Sequence, residues 1–194
     1  MWLSRFVGLA GAGGATPDAC PRGGRCGRAA RRSPWVREPS NPAARCDSDS
    51  ERPHGWLITT LELDGGPLVF DVSYIPYDFV GELVAALTGV LTAPGEYAAR
   101  ICEEPAEHVW RFRSFDPSSA VFDVLTFPNG RRDRGEVVAE AWGAPLEIVL
   151  PLWRGLRESS SLAAAEGYRR NWSEPFPFDA LDRLTERIDA AGTA

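Results

Sequence analysis

Short apolar segments with an alternating pattern, separated by turn residues, are the feature of this sequence that most constrains its fold. Four of them follow closely on one another, at Tyr97 to Cys102, His108 to Phe115, Val121 to Phe127 and Val137 to Trp142. Gly, Pro, Asn and Asp residues stand in most of the connections, and turns this short join antiparallel neighbours. Repeated helical crossovers between strands are missing, so the pattern disfavours a Rossmann-like parallel sheet.

Two more strands and a helix are predicted ahead of these four. The segments Trp56 to Leu63 and Leu68 to Ile75 flank an Asp-Gly-Gly turn and predict a hairpin. Pro76 ends the second strand, and Asp78 then has the side chain to cap a helix by accepting backbone N–H bonds. Apolar residues follow at helical spacing until Ala93, which predicts a helix with one apolar face.

The last third of the chain is predicted to be helical. An apolar helix face extends from Leu146 to Leu156, and Pro151 within it either kinks the helix or marks its first turn. A short helical piece is expected over Ala163 to Arg170, and a last helix over Phe178 to Ile188. We therefore expect an α+β domain with a twisted, mainly antiparallel sheet of about six strands, in the order ββαββββααα, and with helices packed on one face.

The composition changes sharply near residue 53. Residues 1–53 are rich in Arg, Gly and Pro and carry nine arginines against five acidic residues, a net charge of +4. Their apolar residues show no helical or strand periodicity, so we expect a disordered tail, with a signal or transit peptide as the alternatives. Residues 54–194 are expected to form a single α+β domain, with twelve arginines, twenty-two acidic residues and a net charge of −10.

That acidic balance bears on partners. A nucleic acid or an anionic membrane would favour a basic surface, so we expect neither, and no apolar run is long enough to span a membrane. A basic protein partner fits the charge better. The cysteines are scattered without the paired spacing of a zinc site, which favours free thiols in a cytoplasmic protein. The oligomeric state and the partner's identity are left open by the sequence.

The densest group of potential ligands is Glu103, Glu104, Glu107 and His108. The four lie in a Pro-containing connection without an HExxH or calcium-loop pattern, which favours a solvated turn. His54 is the other histidine, and no nucleophile elbow is present. We therefore expect no catalytic, cofactor-binding or metal-ligating residue, no cofactor, and a non-catalytic role rather than an enzyme.

Two further groups are candidates for a pocket or an interaction site. Asp123 alternates with apolar residues, so we expect it to point inward beside Trp110 or Phe112, either paired with an arginine or lining a pocket. Tyr168, Arg169 and Trp172 combine aromatic and arginine side chains, which are typical of interface hot spots but also of a C-terminal segment packed on a sheet.

Three segments resemble a group of small acidic bacterial proteins that are similar to the immunity proteins of toxin systems. They are EGYRRNWSEPFPFDALDRL, SYIPYDFVGELVAAL and the WRFR strand, and the resemblance covers residues 56–190. It implies a bacterial, cytoplasmic interaction protein and no catalytic residue. Our functional prediction is therefore a non-catalytic domain that binds a basic partner. The alternative is a small-molecule-binding domain or minor enzyme with a pocket between sheet and helices, lined by Asp123, His108 and the glutamates.

Overall fold

The computed structural model describes residues 3–11, 56–63, 66–164, 168, 172 and 174–193, and nine of these residues, 3–11, precede the predicted domain. Seven strands are present: β1 (Leu3–Gly11), β2 (Trp56–Leu63), β3 (Gly66–Ser73), β4 (Gly95–Cys102), β5 (Glu107–Asp116), β6 (Ser119–Phe127) and β7 (Glu136–Gly143). The helices are α1 (Phe79–Thr92), α2 (Pro145–Ala164) and α3 (Phe178–Gly192), and short 3-10 turns occur at Pro128–Gly130 and Arg132–Arg134.

The strands form one sheet in the order β1-β2-β3-β4-β5-β6-β7, and every neighbouring pair is antiparallel. From β2 onward the elements follow the predicted order, and the predicted α+β class with an antiparallel sheet and helices is confirmed. Short connections explain the meander, because each strand can return beside the one it has just left.

Strand β1 lies within residues 1–53, the segment for which the sequence predicts a disordered tail. Leu3–Gly11 pairs with β2 along its length, so that β1 is an edge of the sheet. The sequence shows no strand periodicity here, and the pairing is set by the backbone groups that the free edge of β2 offers rather than by a local signal. Residues 12–53 of the predicted tail lie outside the described residues.

The core lies between the helices and one side of the sheet, which we call the inner face. Trp110 on β5 stands at its centre and makes edge-to-face ring contacts with Phe79 of α1 at 5.2 Å, Phe70 of β3 at 5.7 Å and Phe122 of β6 at 5.7 Å. Such contacts add to the gain from burying large rings. Helix α1 lies against β4 and β5, α2 lies against β1, β6 and β7, and the three helices contact one another.

The helix boundaries refine the sequence expectations. Asp78 precedes α1 as predicted, but its carboxylate makes no capping hydrogen bond and instead accepts one from the Trp172 indole N–H at 3.2 Å. Helix α2 continues through Pro151, because the apolar residues on both sides of it share the core-facing side of one helix. Of the short helix expected over residues 163–170, most lies outside the described residues. No described helix has both the length and the apolar character needed to cross a membrane.

Strands β3 and β4 share little backbone pairing: their register consists of the single pair Ser73 and Cys102. Two carboxylates fill this gap. Glu82 of α1 accepts the backbone N–H of Arg100 at 2.9 Å, and Glu103 accepts the backbone N–H of Asp71 at 3.0 Å. Strand N–H groups buried without an acceptor are costly, so these side chains replace part of the missing ladder.

Candidate functional site

The side of β4–β7 that faces away from the helices is called here the outer face. The cross-strand register orders its side chains into rows. One row is Glu96–Arg113–Val121–Trp142, the next is Ala98–Arg111–Asp123–Glu140, and the third is Arg100–Val109–Leu125–Val137. Because α1 and α2 pack on the inner face, the centre of the outer face is a sheet surface that carries its own mixture of charged and apolar groups.

Asp123 is the most buried charged residue of the outer face, with 0% of it exposed. Its carboxylate accepts hydrogen bonds from Arg111 Nε at 2.9 Å, Arg111 Nη2 at 3.1 Å and Arg113 Nη2 at 2.8 Å. The hydrogen bond to Asp123 raises the pKa of the Arg111 guanidinium above its ordinary value. A buried carboxylate held by two arginines satisfies the rule that buried charges are paired.

This position corrects part of the expectation for Asp123. The predicted arginine partner is present, but the side chain does not lie beside Trp110 or Phe112. The β5–β6 register pairs Trp110 with Val124 and Arg111 with Asp123, so the carboxylate points to the outer face. Register is set by pairing between strands, and a shift of one residue exchanges the two faces of a strand.

Exposed apolar side chains surround the Arg111–Asp123–Arg113 cluster. Phe115, Val137 and Trp142 keep 50%, 54% and 59% of their surface exposed, and Val138, at the register irregularity of β7, keeps 47%. Val121 is buried although it lies outside the core cluster, since the register places it between the long side chains of Arg113 and Trp142. The Trp142 indole N–H donates to Glu140 at 2.8 Å, which holds the ring beside that carboxylate.

His108 belongs to a separate network on the inner face. Its Nε2 lies 2.7 Å from Glu103 Oε2, and its Nδ1 lies 2.9 Å from Thr126 Oγ1 on β6. A carboxylate only accepts hydrogen bonds, so Nε2 is the donor in the first contact. Both ring nitrogens are thus engaged within the fold, and Glu103 links β3 to β5 by also accepting from Asp71.

The other members of the acidic group are dispersed. Glu107 pairs with Arg132 at 3.2 Å, and Arg132 also donates to the Tyr77 hydroxyl at 3.3 Å. Glu104 is exposed in the connection between β4 and β5, where it has a positive φ of 28°. Within the described part of the chain, no three His, Cys, Asp or Glu residues converge in a way that would hold a metal ion.

Two C-terminal aromatic residues of the predicted site, Tyr168 and Trp172, are packed inside the domain. Tyr168 and Trp172 are both buried; the Tyr168 ring contacts Phe176 at 5.3 Å, and Trp172 contacts Tyr74 at 6.0 Å. Burial raises the pKa of the Tyr168 phenol above its ordinary value. The packing of these two side chains within the domain matches the alternative of a C-terminal segment packed on the sheet, and an interface role for them stays a prediction. Arg169 lies outside the described residues.

A pocket shared by Asp123, His108 and the glutamates is not formed by the described residues. Asp123 points to the outer face and His108 to the inner face, where the space between sheet and helices is filled by buried side chains. The residues that sequence reasoning missed are Phe115, Val137, Val138 and Trp142. The sequence gives little indication that these side chains are exposed, since a strand such as VVAEAW is equally compatible with a buried or an exposed position in a sheet.

Comparison of the chain with family models, with curated proteins and with solved structures gives no significant match in any of the three.

Proposed function

We propose that this chain is a non-catalytic interaction domain of the bacterial cytoplasm that binds a basic protein through its outer face, with an immunity-type role as the most concrete form. The observation that carries the proposal is the cluster of half-exposed apolar side chains on β5 and β7 described above. Scattered surface apolar residues need no explanation, but a group that shares one sheet face and includes Trp and Phe is typical of a binding site.

The aromatic members supply the expected binding energy. Trp142 exposes 59% of its surface and is held in one orientation by its hydrogen bond to Glu140. A side chain that is already ordered loses little conformational entropy when it is covered, and tryptophan is among the residues most enriched in hot spots. Trp142 is therefore the expected anchor of the interface.

Charge supports a basic partner. Residues 54–194 carry a net charge of −10, and Glu96 and Glu140 are exposed on the outer face, while Glu136 is exposed at the start of β7. The cluster of Asp123 with Arg111 and Arg113 carries a net charge of +1, so the attraction of a basic partner rests on Glu96, Glu140 and the negative charge of the domain as a whole rather than on this cluster. An acidic surface attracts a basic partner over distances of about 8–10 Å at moderate salt, which raises the association rate.

A structural role fits the histidine network better than a catalytic one. A general base needs a free ring nitrogen that a substrate can reach. Both nitrogens of His108 are engaged by Glu103 and Thr126, and the residue is buried against Phe70 with ring centroids 5.0 Å apart. This arrangement favours a contribution to the packing of β5 over proton transfer.

The test is capture of a partner from a lysate of the native host, with the full chain as bait, at low and at high salt. The bait variant Val137→Thr combined with Trp142→Ser removes apolar surface while keeping strand-compatible residues. Val69→Thr is the matched control, because Val69 is a valine of β3 with 59% exposure and lies on the other side of the gap between β3 and β4.

We expect the wild type and the Val69→Thr variant to capture a basic protein at low salt and to release it at high salt. The double variant should fail to capture this protein. The captured protein is then purified and its affinity for each variant is measured by calorimetry. Retention of the same protein by the double variant, or an affinity that does not respond to salt, contradicts the proposal.

A further inference from the structure

Strand β7 is the last strand in the sheet order, so among the described residues no strand lies on its far side. On the basis of the proposed function, we propose that the basic partner supplies an extended segment that pairs with the free edge of β7 as an additional antiparallel strand. The segment would carry arginine or lysine in alternation with apolar residues.

The backbone of β7 offers the first half of the site. Within an antiparallel pair, each strand directs only part of its N–H and C=O groups toward a given neighbour, so a terminal strand presents the remainder to an incoming chain. Strand β7 pairs with β6 from Glu136 to Gly143, and five of its eight residues are exposed. An extended peptide that adds to such an edge gains backbone hydrogen bonds, and neighbouring side chains then supply selectivity.

The side chains of β7 supply the second half. Glu140 and Trp142 lie on the outer face in adjacent rows, and Glu136 is exposed where the strand begins. Residues directly opposite each other on paired strands are in contact, and opposite charges there are favourable. A basic side chain is therefore expected opposite Glu140. Because Glu140 and Trp142 share a face, the alternation places a second basic side chain opposite Trp142, where an arginine can stack on the indole ring.

The same carboxylates disfavour two registers in which a second copy of this chain could pair with β7, whereas a two-fold centred on Ala139 or Ala141 brings no two carboxylates opposite each other, so a dimer of this chain is an outcome of the test. A two-fold pairing of β7 centred on Val138 brings Glu136 opposite Glu140, and one centred on Glu140 brings two like charges together. Like charges that are directly opposite each other on paired strands are destabilising. A register irregularity between Val124 and Leu125 leaves Val138 without a register partner in β6, between the pairs Leu125–Val137 and Val124–Ala139.

The test uses a synthetic nine-residue peptide in which arginine and valine alternate, labelled for anisotropy measurements with the full chain. Two versions of this peptide are methylated at backbone nitrogens, one at the odd positions and one at the even positions. Only one set of alternating amides faces β7 when the peptide is paired as a strand. We expect one methylated version to lose at least about tenfold in affinity and the other to bind nearly as the parent does.

Two protein variants accompany the peptides. Glu140→Gln is expected to weaken binding about threefold or more and to reduce its salt dependence, since one charge pair is lost. Asp182→Asn is the control, because Asp182 is an exposed carboxylate of α3 whose side chain is 68% exposed. Amide hydrogen exchange of Ala139–Gly143 should slow when the parent peptide is bound.

The outcomes separate this inference from the proposed function. Equal binding of both methylated peptides, or no binding of the parent at millimolar concentration, overturns strand addition, while capture of a basic protein through the outer face would stand. A dimer of this chain that the Glu140→Gln variant strengthens also overturns it, because β7 would then pair with itself. Failure of the lysate capture together with loss of peptide binding removes both proposals.

Discussion

Replacing Asp123 with asparagine removes the carboxylate that Arg111 and Arg113 share, while leaving a side chain of the same shape. Asp123 is 0% exposed, whereas the side chains of Arg111 and Arg113 are 28% and 32% exposed. Three charge-assisted hydrogen bonds are weakened, and the asparagine NH2 group is brought against arginine donors. Such bonds contribute about 1.5–3 kcal/mol each, but the partly exposed arginines can regain water and the amide oxygen still accepts.

We therefore expect Asp123→Asn to lower the free energy of unfolding by about 2–3 kcal/mol. Arg111→Ala should cost more, about 3–5 kcal/mol, because it leaves a fully buried carboxylate with a single partner. Arg113→Ala should cost less than Arg111→Ala, since Arg111 makes two of the three short contacts. Stability is measured by urea denaturation, and the melting temperature should fall by about 2–4 °C for each kcal/mol lost.

Arg157→Ala serves as the control. Arg157 pairs with Asp182 at 2.9 Å, but the two side chains are 45% and 68% exposed. Exposed pairs contribute little, so the change should stay within about 0.5 kcal/mol. A similarly small effect of Asp123→Asn, or a larger effect of Arg113→Ala than of Arg111→Ala, would refute the reasoning that the buried carboxylate organises the outer face.

Three further predictions concern single positions. The raised pKa of the buried Tyr168 phenol means that the unfolded chain loses a proton above pH 10 that the folded chain keeps, so stability should fall by about 1.4 kcal/mol per pH unit there. Tyr168→Phe should abolish that slope when urea denaturation is measured at pH 9–11, about one unit either side of the ordinary pKa. At pH 7 the same variant should not be less stable than the wild type, because the hydroxyl has no hydrogen-bond partner among the described residues. Glu82→Ala should lower the free energy of unfolding by about 2 kcal/mol, because the Arg100 backbone N–H loses its acceptor and the Arg100 guanidinium loses its ion pair. Thermal denaturation measures this effect, and an unchanged melting temperature would contradict the prediction. Gly89→Ala should destabilise the domain by about 1 kcal/mol despite the better helix propensity of alanine, since a Cβ there would lie 2.3 Å from the ring of Tyr97; a more stable variant would show that this ring can move without cost.

Most elements of the domain could be predicted because their signals are local. The alternation of Phe70 and Val72 with polar neighbours marks β3, and the helical spacing from Phe79 to Val90 marks α1. The turn at Asp116 is a similar case, since its carboxylate accepts the Ser118 N–H at 2.7 Å as an Asx turn does. A hydrogen bond from the Ser118 hydroxyl at 2.7 Å, together with the one from the Ser118 N–H, holds the pKa of the Asp116 carboxyl below its ordinary value.

The tertiary structure decided which face each strand presents and which residues are covered. β6 has apolar residues on both faces, so the sequence could not tell whether Asp123 lies beside Trp110 or beside Arg111. The same is true of Tyr168 and Trp142, two aromatic residues of similar local character, one buried and the other exposed. Periodicity depends on residues a few positions apart, whereas register and burial depend on pairing between distant strands, which a single strand's pattern does not specify. From β2 onward the sequence thus determined the elements and their order, whereas β1 and the separation of the core from the surface that we propose to bind a partner came only from the packed sheet.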